Sequence, residues 1–219
     1  MFDANCLKLM FVAGSQDFYH IKGGKNDRIN ALLDALELAL QSKITAFQFR
    51  QKGDLALQDP IEIKQLALEC QKLCQKYGVP FIVNDEVQLA LELKADGVHV
   101  GQEDMAIEEV MALCKKRLFI GLSVNTLEQA LKARHLDGVA YFGVGPIFPT
   151  QSKKDKQVVG VELLKKIKDS GIKKPLIAIG GITVHNASKL REYGGIAVIS
   201  AIAKAKDKAL VVKKLLNDA

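Results

Sequence analysis

Residues 79–101, VPFIVNDEVQLALELKADGVHVG, contain one complete strand–helix–strand unit. The apolar runs Phe81–Asn84 and Gly97–Val100 are short and rich in β-branched residues, which is typical of buried strands. The segment Val87–Leu93 between them has the apolar periodicity of an amphipathic helix. Alternation of buried strands with helices predicts an α/β fold with a parallel sheet.

The same alternation extends outward from this unit over the whole chain. Eight runs are predicted to be strands: Leu7–Val12, Ala46–Arg50, Phe81–Asn84, Gly97–Val100, Phe119–Ser123, Val139–Val144, Leu176–Ile179 and Ile196–Ile199. Eight segments are predicted to be helices: Arg28–Gln41, Pro60–Tyr77, Val87–Leu93, Ile107–Lys115, Thr126–Arg134, Val161–Ser170, Ala187–Tyr193 and Lys206–Asn217. We therefore expect a (β/α)8 TIM barrel that forms a single domain over residues 1–219. The alternative is an open doubly wound sheet, but the Gly-x-Gly-x-x-Gly turn usual in that fold does not follow Val12.

The composition is that of a globular chain with an excess of positive charge. Of its 219 residues 48% are hydrophobic, and 31 Lys and Arg against 25 Asp and Glu give a net charge of +6. This charge favours anionic partners without naming one. No basic patch interleaved with aromatic residues supports binding of nucleic acid, and a small phosphorylated substrate fits the charge equally well. Cys6, Cys70, Cys74 and Cys114 have the spacing of neither a disulfide framework nor a zinc site, and Met1–Ala13 has no basic leader and is too short to span a membrane. We expect a cytoplasmic protein without a membrane partner, and we leave open whether it forms a homodimer.

Polar residues collect where the predicted strands end, which in a barrel is the rim that carries the active site. Gln48, Arg50 and Lys52 alternate with Phe47 and Phe49, so the three polar side chains are predicted to point to the barrel mouth. Arg and Lys without a carboxylate beside them in the sequence indicate an anion site, which a diphosphate would satisfy. The alternative is a solvated strand end.

Two carboxylates from adjacent units are predicted to meet on this rim. Asp85 follows the third strand and Asp104 follows the fourth. Magnesium takes one or two protein carboxylates together with phosphate oxygens and water, so the pair predicts a Mg²⁺ site. The alternative is that Asp85 and Asp104 cap the helices that follow them.

A phosphate site is predicted after the seventh strand, opposite the end of the eighth. Gly180 and Gly181 follow the seventh strand, and Ile199 and Ser200 end the eighth. Many barrels bind phosphate in the loops after these two strands, through backbone N–H groups and a short helix terminus. The two glycines would also suit an ordinary tight turn.

Two connections, Gly14–Asp27 and Gly145–Gly160, are longer than tight turns. Long ordered loops in compact domains are usually functional. The second contains Pro146, Pro149 and the cationic pair Lys153–Lys154, so it is predicted to be a lid that brings positive charge to a ligand.

Six separated motifs, in this order, resemble the thiamine phosphate synthase family. They are Gln48-Phe-Arg-Gln-Lys52, Val83-Asn-Asp85, His99-Val-Gly-Gln-Glu-Asp104, Gly121-Leu-Ser123, Gly145-Pro-Ile-Phe-Pro-Thr-Gln-Ser-Lys-Lys-Asp155 and Ile179-Gly-Gly-Ile182. The resemblance runs from about the first strand to the eighth. It implies a Mg²⁺-dependent transferase that condenses 4-amino-2-methyl-5-hydroxymethylpyrimidine diphosphate with 4-methyl-5-(2-hydroxyethyl)thiazole phosphate, giving thiamine phosphate and diphosphate.

The resemblance also assigns roles to individual residues. The pyrimidine diphosphate would be held by Gln48, Arg50, Lys52, Asn84, Ser123 and Lys153. The magnesium ion would be bound by Asp85 and Asp104. The thiazole phosphate would be held by Thr150, Ser152, Gly181, Ile199 and Ser200. Departure of diphosphate before the thiazole nitrogen attacks would be assisted by the catalytic residues Arg50, Lys52, Ser123 and Lys153.

Three positions depart from the family pattern. Gln51 stands where many relatives have Glu, but it is expected to point away from the mouth. Ser152 keeps the hydroxyl of the usual Thr. Asn125 replaces a histidine, and the thiazole tautomerases, a sister group on this fold, use a histidine in this neighbourhood for proton transfer, which an amide cannot perform. Tautomerase activity is thus the weaker alternative, and a non-catalytic barrel that binds phosphate ligands is the other.

His99 lies in the middle of the predicted fourth strand and is expected to point into the barrel mouth or its upper core layer. A single histidine at such a place is more often a hydrogen-bonded core residue than a catalyst. We therefore leave it out of the catalytic set.

Overall fold

A computed structural model of the chain describes residues 2–115, 117–150 and 157–218. Eight parallel strands form a closed barrel in which each strand pairs with its neighbours in sequence and β8 pairs with β1. The strands are β1 (Leu9–Ala13), β2 (Ala46–Phe49), β3 (Phe81–Asn84), β4 (Gly97–Val100), β5 (Phe119–Val124), β6 (Val139–Val144), β7 (Leu176–Ile179) and β8 (Gly195–Val198). The predicted (β/α)8 TIM barrel is confirmed.

Helices surround the barrel. They are α1 (Lys25–Gln41), α2 (Pro60–Tyr77), α3 (Val87–Glu92), α4 (Ile107–Cys114), α5 (Leu127–Ala133), α6 (Gly160–Asp169), α7 (Ser200–Ala203) and α8 (Lys208–Asp218), with 3-10 turns at Ala4–Leu7, Ser15–Phe18 and Ala187–Leu190. None of the helices in the described ranges combines the length and apolar character that a membrane span requires.

Three of the predicted elements differ from the structure in their bounds or type, two of them where a side chain caps the backbone. Helix α1 begins at Lys25, three residues before the prediction, because an Asp27 carboxylate oxygen accepts a hydrogen bond of 2.7 Å from the Gly24 N–H. Leu7 lies in a 3-10 turn that Asp3 caps, so it precedes β1 instead of starting it. Ala187–Leu190 forms a 3-10 turn where an α-helix was predicted.

Two apolar layers hold the barrel together. The larger layer lies between strands and helices and includes Phe47 and Phe49 of β2, whereas Met10, Ile82 and Tyr141 belong to a smaller layer inside the barrel. Side chains along a strand point alternately to its two faces. The predicted orientation of β2, with its aromatic residues away from the barrel axis and Gln48 toward it, is confirmed.

Candidate active site

Lys52, Asp85 and Asp104 form a cluster at the carboxyl ends of the strands. The Lys52 Nζ lies 2.7 Å from Asp85 Oδ2 and 3.6 Å from Asp104 Oδ1. Asp104 Oδ2 accepts a 2.7 Å hydrogen bond from the Gly101 N–H, which closes the turn after β4. Neither carboxylate caps a helix, because the residues at the N-caps of α3 and α4 are Glu86 and Ala106. The alternative explanation of this pair as helix caps is therefore excluded.

The electrostatics of the two carboxylates are linked. Burial raises the pKa of Asp85, and the neighbouring Asp104 raises it further against the opposing effect of Lys52. Burial alone would also raise the pKa of Asp104, but hydrogen bonds from Asp85 and the Gly101 N–H lower it below its usual value. Asp85 also has a positive φ of 64°, a strained conformation for a residue with a side chain. Two carboxylates that face the same ammonium group also repel each other, so a further cation placed between them would be stabilising.

The backbone of Arg50 is held by residues of the first long loop. The Gln16 amide donates hydrogen bonds to the Arg50 carbonyl oxygen at 2.7 Å and to Asp17 Oδ2 at 3.0 Å. The same Asp17 oxygen accepts from the Gly14 N–H at 2.9 Å. Burial raises the pKa of Asp17, against the opposing effects of its hydrogen bonds and of Arg50. This network stabilises the turn from which the Arg50 side chain extends.

The interior of the barrel contains a small cavity of about 30 Å³ directly below the rim. Four residues that the sequence assigned to the pyrimidine diphosphate line it: Gln48, Arg50, Asn84 and Ser123. His99 and Tyr141 line its floor and hydrogen-bond each other. The structure therefore brings together a set of residues that are far apart in the sequence.

A second small cavity, of about 40 Å³, lies between the loops after β6, β7 and β8. Thr150, Gly181, Ile199 and Ser200 line it, as expected of the proposed thiazole phosphate residues. Gly181 has a φ of +64°, and a Cβ there would lie 2.5 Å from the Pro149 carbonyl oxygen. Close packing of the two loops therefore requires glycine at this position.

An open cavity of about 930 Å³ connects the two sides of the mouth. It is lined by Arg50 and Lys52 on one side and by Thr150, Gly181 and Ser200 on the other. Ser152 and Lys153, which the sequence also placed in the site, lie outside the described residues.

Comparison with known proteins identifies the family. A family model described as thiamine monophosphate synthase matches residues 18–202. The chain belongs to the thiamine monophosphate synthase family. A thiamine-phosphate synthase of Helicobacter pylori (strain Shi470) is 96% identical over 219 residues, covering 100% of both chains, and one of Pasteurella multocida (strain Pm70) is 54% identical over 216 residues, covering 97% of this chain and 96% of the relative. A solved thiamine phosphate pyrophosphorylase from Pyrococcus furiosus is 35% identical, with a TM-score of 0.82 over 98% of this chain and 96% of its own.

As a member of the thiamine monophosphate synthase family, the chain is an enzyme of the transferase class. The resemblance of the six motifs to this family is thereby confirmed. The departure at Asn125 also has a structural explanation: its side-chain amide donates a hydrogen bond to the Gly145 carbonyl oxygen. Asn125 therefore stabilises the start of the loop after β6, and its amide is not titratable.

Several residues that line the mouth were not found from the sequence, and four of them have polar side chains that bear on the site. They are Gln16, Asp17, Tyr141 and Lys204. The first two lie in a loop whose length had indicated function, but nothing in that loop distinguishes them from its other polar residues. Tyr141 could have been found, because strand alternation directs it into the barrel, where it pairs with Gly121. Lys204 is one of many lysines and carries no local sequence signal.

Proposed function

We propose that this transferase joins 4-amino-2-methyl-5-hydroxymethylpyrimidine diphosphate to 4-methyl-5-(2-hydroxyethyl)thiazole phosphate. The C–O bond between the pyrimidine methylene and the diphosphate breaks, and diphosphate leaves with the bonding electron pair. The thiazole nitrogen then forms the new C–N bond. The observation that carries this proposal is the single 930 Å³ cavity with cations on one side and the glycine turn after β7 on the other, because two anionic substrates need two anion sites within bonding reach.

The first substrate fits the side of the mouth that contains Arg50 and Lys52. Its ring would enter the interior cavity, where Gln48 and Asn84 offer amide groups for hydrogen bonds. Its diphosphate would then lie at the rim beside the guanidinium and ammonium groups. Charge-assisted hydrogen bonds from these groups, and one from Ser123, strengthen as negative charge grows on the departing oxygen.

Asp85 and Asp104 fit a magnesium ion. They present hard oxygen ligands, and they already converge on the ammonium group of Lys52. No third His, Cys, Asp or Glu side chain joins them in a metal-holding group within the described ranges, so the remaining ligands would come from substrate and water. When bound, magnesium supplies positive charge that neutralises the diphosphate. Arg50 and Lys52 orient the same group from the protein side.

The second substrate fits the pocket after β7 and β8. Backbone N–H groups at Gly181 and Ser200 are suited to its phosphate, and Thr150 adds a hydroxyl group at the edge. We expect the ligands of both sites to be small phosphorylated molecules, since Arg50, Lys52 and Lys204 line one concave mouth. We place the reaction in the cytoplasm, where the four free cysteines would stay reduced.

The experiment is to combine the protein with both substrates and Mg²⁺ and to measure thiamine phosphate and diphosphate together. We expect equal amounts of the two products and none when either substrate is omitted. Arg50→Ala should lower turnover by roughly 100-fold, while Arg134→Ala, on an exposed helix end, should have no effect. Absence of product would contradict the proposal, and turnover of a thiazole substrate alone would indicate a tautomerase.

A further inference from the structure

A chain of hydrogen bonds crosses the barrel between two residues of the proposed pyrimidine site. The Tyr141 hydroxyl lies 3.0 Å from His99 Nδ1, and His99 Nε2 lies 2.9 Å from Ser123 Oγ. The Gln48 side chain hydrogen-bonds the same Tyr141 hydroxyl. Tyr141 is fully buried and His99 is 8% exposed. Gln48 and Ser123 are thus connected through two buried side chains that the sequence did not assign to the site.

The two strands that follow β4 are built around the imidazole ring. Gly121 of β5 and Gly143 of β6 lie against it, and a Cβ at Gly143 would be 2.8 Å from His99 Cε1. A Cβ at Gly121 would overlap both His99 Nδ1 and the Tyr141 ring. Because the ring has no room to rotate, each of its nitrogens stays facing a hydroxyl group.

The proton of the Tyr141 hydroxyl determines which atom donates and which accepts in each of these hydrogen bonds. Burial raises the pKa of Tyr141 far above its usual value, so its hydroxyl keeps a proton that must be donated. His99 Nδ1 lies 3.0 Å from the hydroxyl oxygen and is placed to accept this proton. The hydroxyl then donates to His99 Nδ1, the ring carries its proton on Nε2, and Nε2–H donates to Ser123 Oγ.

The consequence concerns the hydroxyl proton of Ser123. With one lone pair of Oγ occupied by the imidazole N–H, that proton is free to point into the cavity that Arg50 and Asn84 also line. In the opposite tautomer, Ser123 would donate to the ring and would turn only lone pairs toward an anionic ligand. A diphosphate oxygen is attracted by the first arrangement and repelled by the second.

We propose that His99 is a positioning residue which, held by Tyr141, makes the Ser123 hydroxyl a hydrogen-bond donor to the departing diphosphate. The inference rests on the proposed function for the identity of the anion. The tautomer of His99 that this inference requires can be measured without any assay of activity. The inference and the proposed function can therefore be tested separately.

The first test is the protonation state of the ring in the ligand-free wild-type protein. Long-range ¹H–¹⁵N correlation spectra at neutral pH distinguish the two tautomers and the imidazolium, and the His99 signals are assigned by their loss in His99→Gln. We expect a neutral ring with its proton on Nε2. A proton on Nδ1, or a doubly protonated ring, would overturn the proposal even if the enzyme is fully active.

The second test is a double-mutant cycle on the rate of diphosphate release. His99→Asn keeps a polar atom near the Nδ1 position but cannot reach Ser123, and it should lower kcat by roughly 100-fold, as loss of an oriented donor does. The KM for the thiazole phosphate should not change. His99→Gln, whose amide reaches the Nε2 position, should restore most of kcat, and His135→Asn on the surface serves as the control.

In a Ser123→Ala background, the same His99→Asn change should cost little, because the group that it positions is already gone. An equal loss of kcat with and without Ser123 would show that His99 acts only on the fold of the barrel. If the wild-type protein forms no product, the proposed function is wrong. The His99 tautomer found in the first test still decides whether the Ser123 hydroxyl is positioned as a donor.

Discussion

Lys52 and Asp85 form an ion pair at the barrel mouth between two adjacent strands, with 2.7 Å between Nζ and Oδ2, although they are 33 residues apart in the sequence. Each extends from the loop that follows its own strand, β2 or β3. Since Asp104 contacts the same ammonium group, one lysine neutralises a pair of carboxylates. A divalent cation at that pair would leave Lys52 available to an anionic substrate.

Asp85→Asn and Asp104→Asn should each reduce activity by roughly 100-fold. A loss of this size is expected of a metal ligand, because residues that only support a ligand have smaller effects. Asn tolerates the positive φ at position 85, so this change removes the charge without adding strain. Raising Mg²⁺ should partly restore Asp104→Asn, because its amide oxygen can still accept from the Gly101 N–H. Initial rates in a Mg²⁺ titration test this, with the exposed Asp34→Asn as control. Full wild-type activity in excess chelator would contradict the magnesium site.

Gly181→Ala should weaken binding of thiazole phosphate and destabilise the fold. The new methyl group would meet Phe148 at 2.7 Å and the Pro149 carbonyl at 2.5 Å, in addition to the strain of its positive φ. Gly171→Ala is a matched control, because its φ is +79° and no atom lies within 4 Å of a Cβ there. We expect Gly171→Ala to cost about 1 kcal/mol in the free energy of unfolding and to bind normally. Equal affinities of the two variants would place the phosphate elsewhere.

Asp17→Asn should change the pH dependence of stability. Because burial raises the pKa of Asp17 in the folded state, its proton is held more tightly in the folded chain than in the unfolded one. Its contribution to the free energy of unfolding is therefore most favourable below its ordinary pKa and declines as pH rises through the raised value. Denaturant titrations from about pH 4 to pH 7 should show the Asp17→Asn variant gaining stability relative to wild type as pH increases. A difference that is constant with pH would show that the buried carboxylate titrates normally.

Lys153→Ala should lower the rate of the chemical step more than Lys154→Ala. Both residues lie outside the described part of the chain, so this prediction rests on the sequence and the family resemblance. A lysine that meets the departing diphosphate acts on the transition state, whereas a solvated loop charge contributes only a long-range attraction that salt screens. Single-turnover rates at saturating substrates, at low and high salt, separate the two. Identical behaviour of the variants would remove Lys153 from the catalytic set.

Local patterns in the sequence determined the barrel and most of its rim. Strand and helix periodicities repeat within a few residues, so the eight strands were located to within two residues at either end. The rule that parallel strands of a barrel end on one rim then placed Arg50, Lys52, Asp85 and Asp104 together. Strand alternation correctly directed Gln51 away from the mouth, where its Oε1 accepts from Ser15 Oγ and the Leu57 N–H.

Tertiary structure alone decided which of these side chains touch and what surrounds them. Gln16 holds the Arg50 carbonyl from 34 residues away, and Tyr141 reaches His99 across 42 residues. Gly181 must be glycine because its loop packs against Pro149, and turn propensities in the sequence do not predict this contact. The spacing of apolar residues along one helix or strand shows which of its faces is buried, so this property can be predicted from neighbouring positions in the sequence. Hydrogen-bond partners depend on distances of a few ångströms between separate elements, and these are set only when the whole barrel closes.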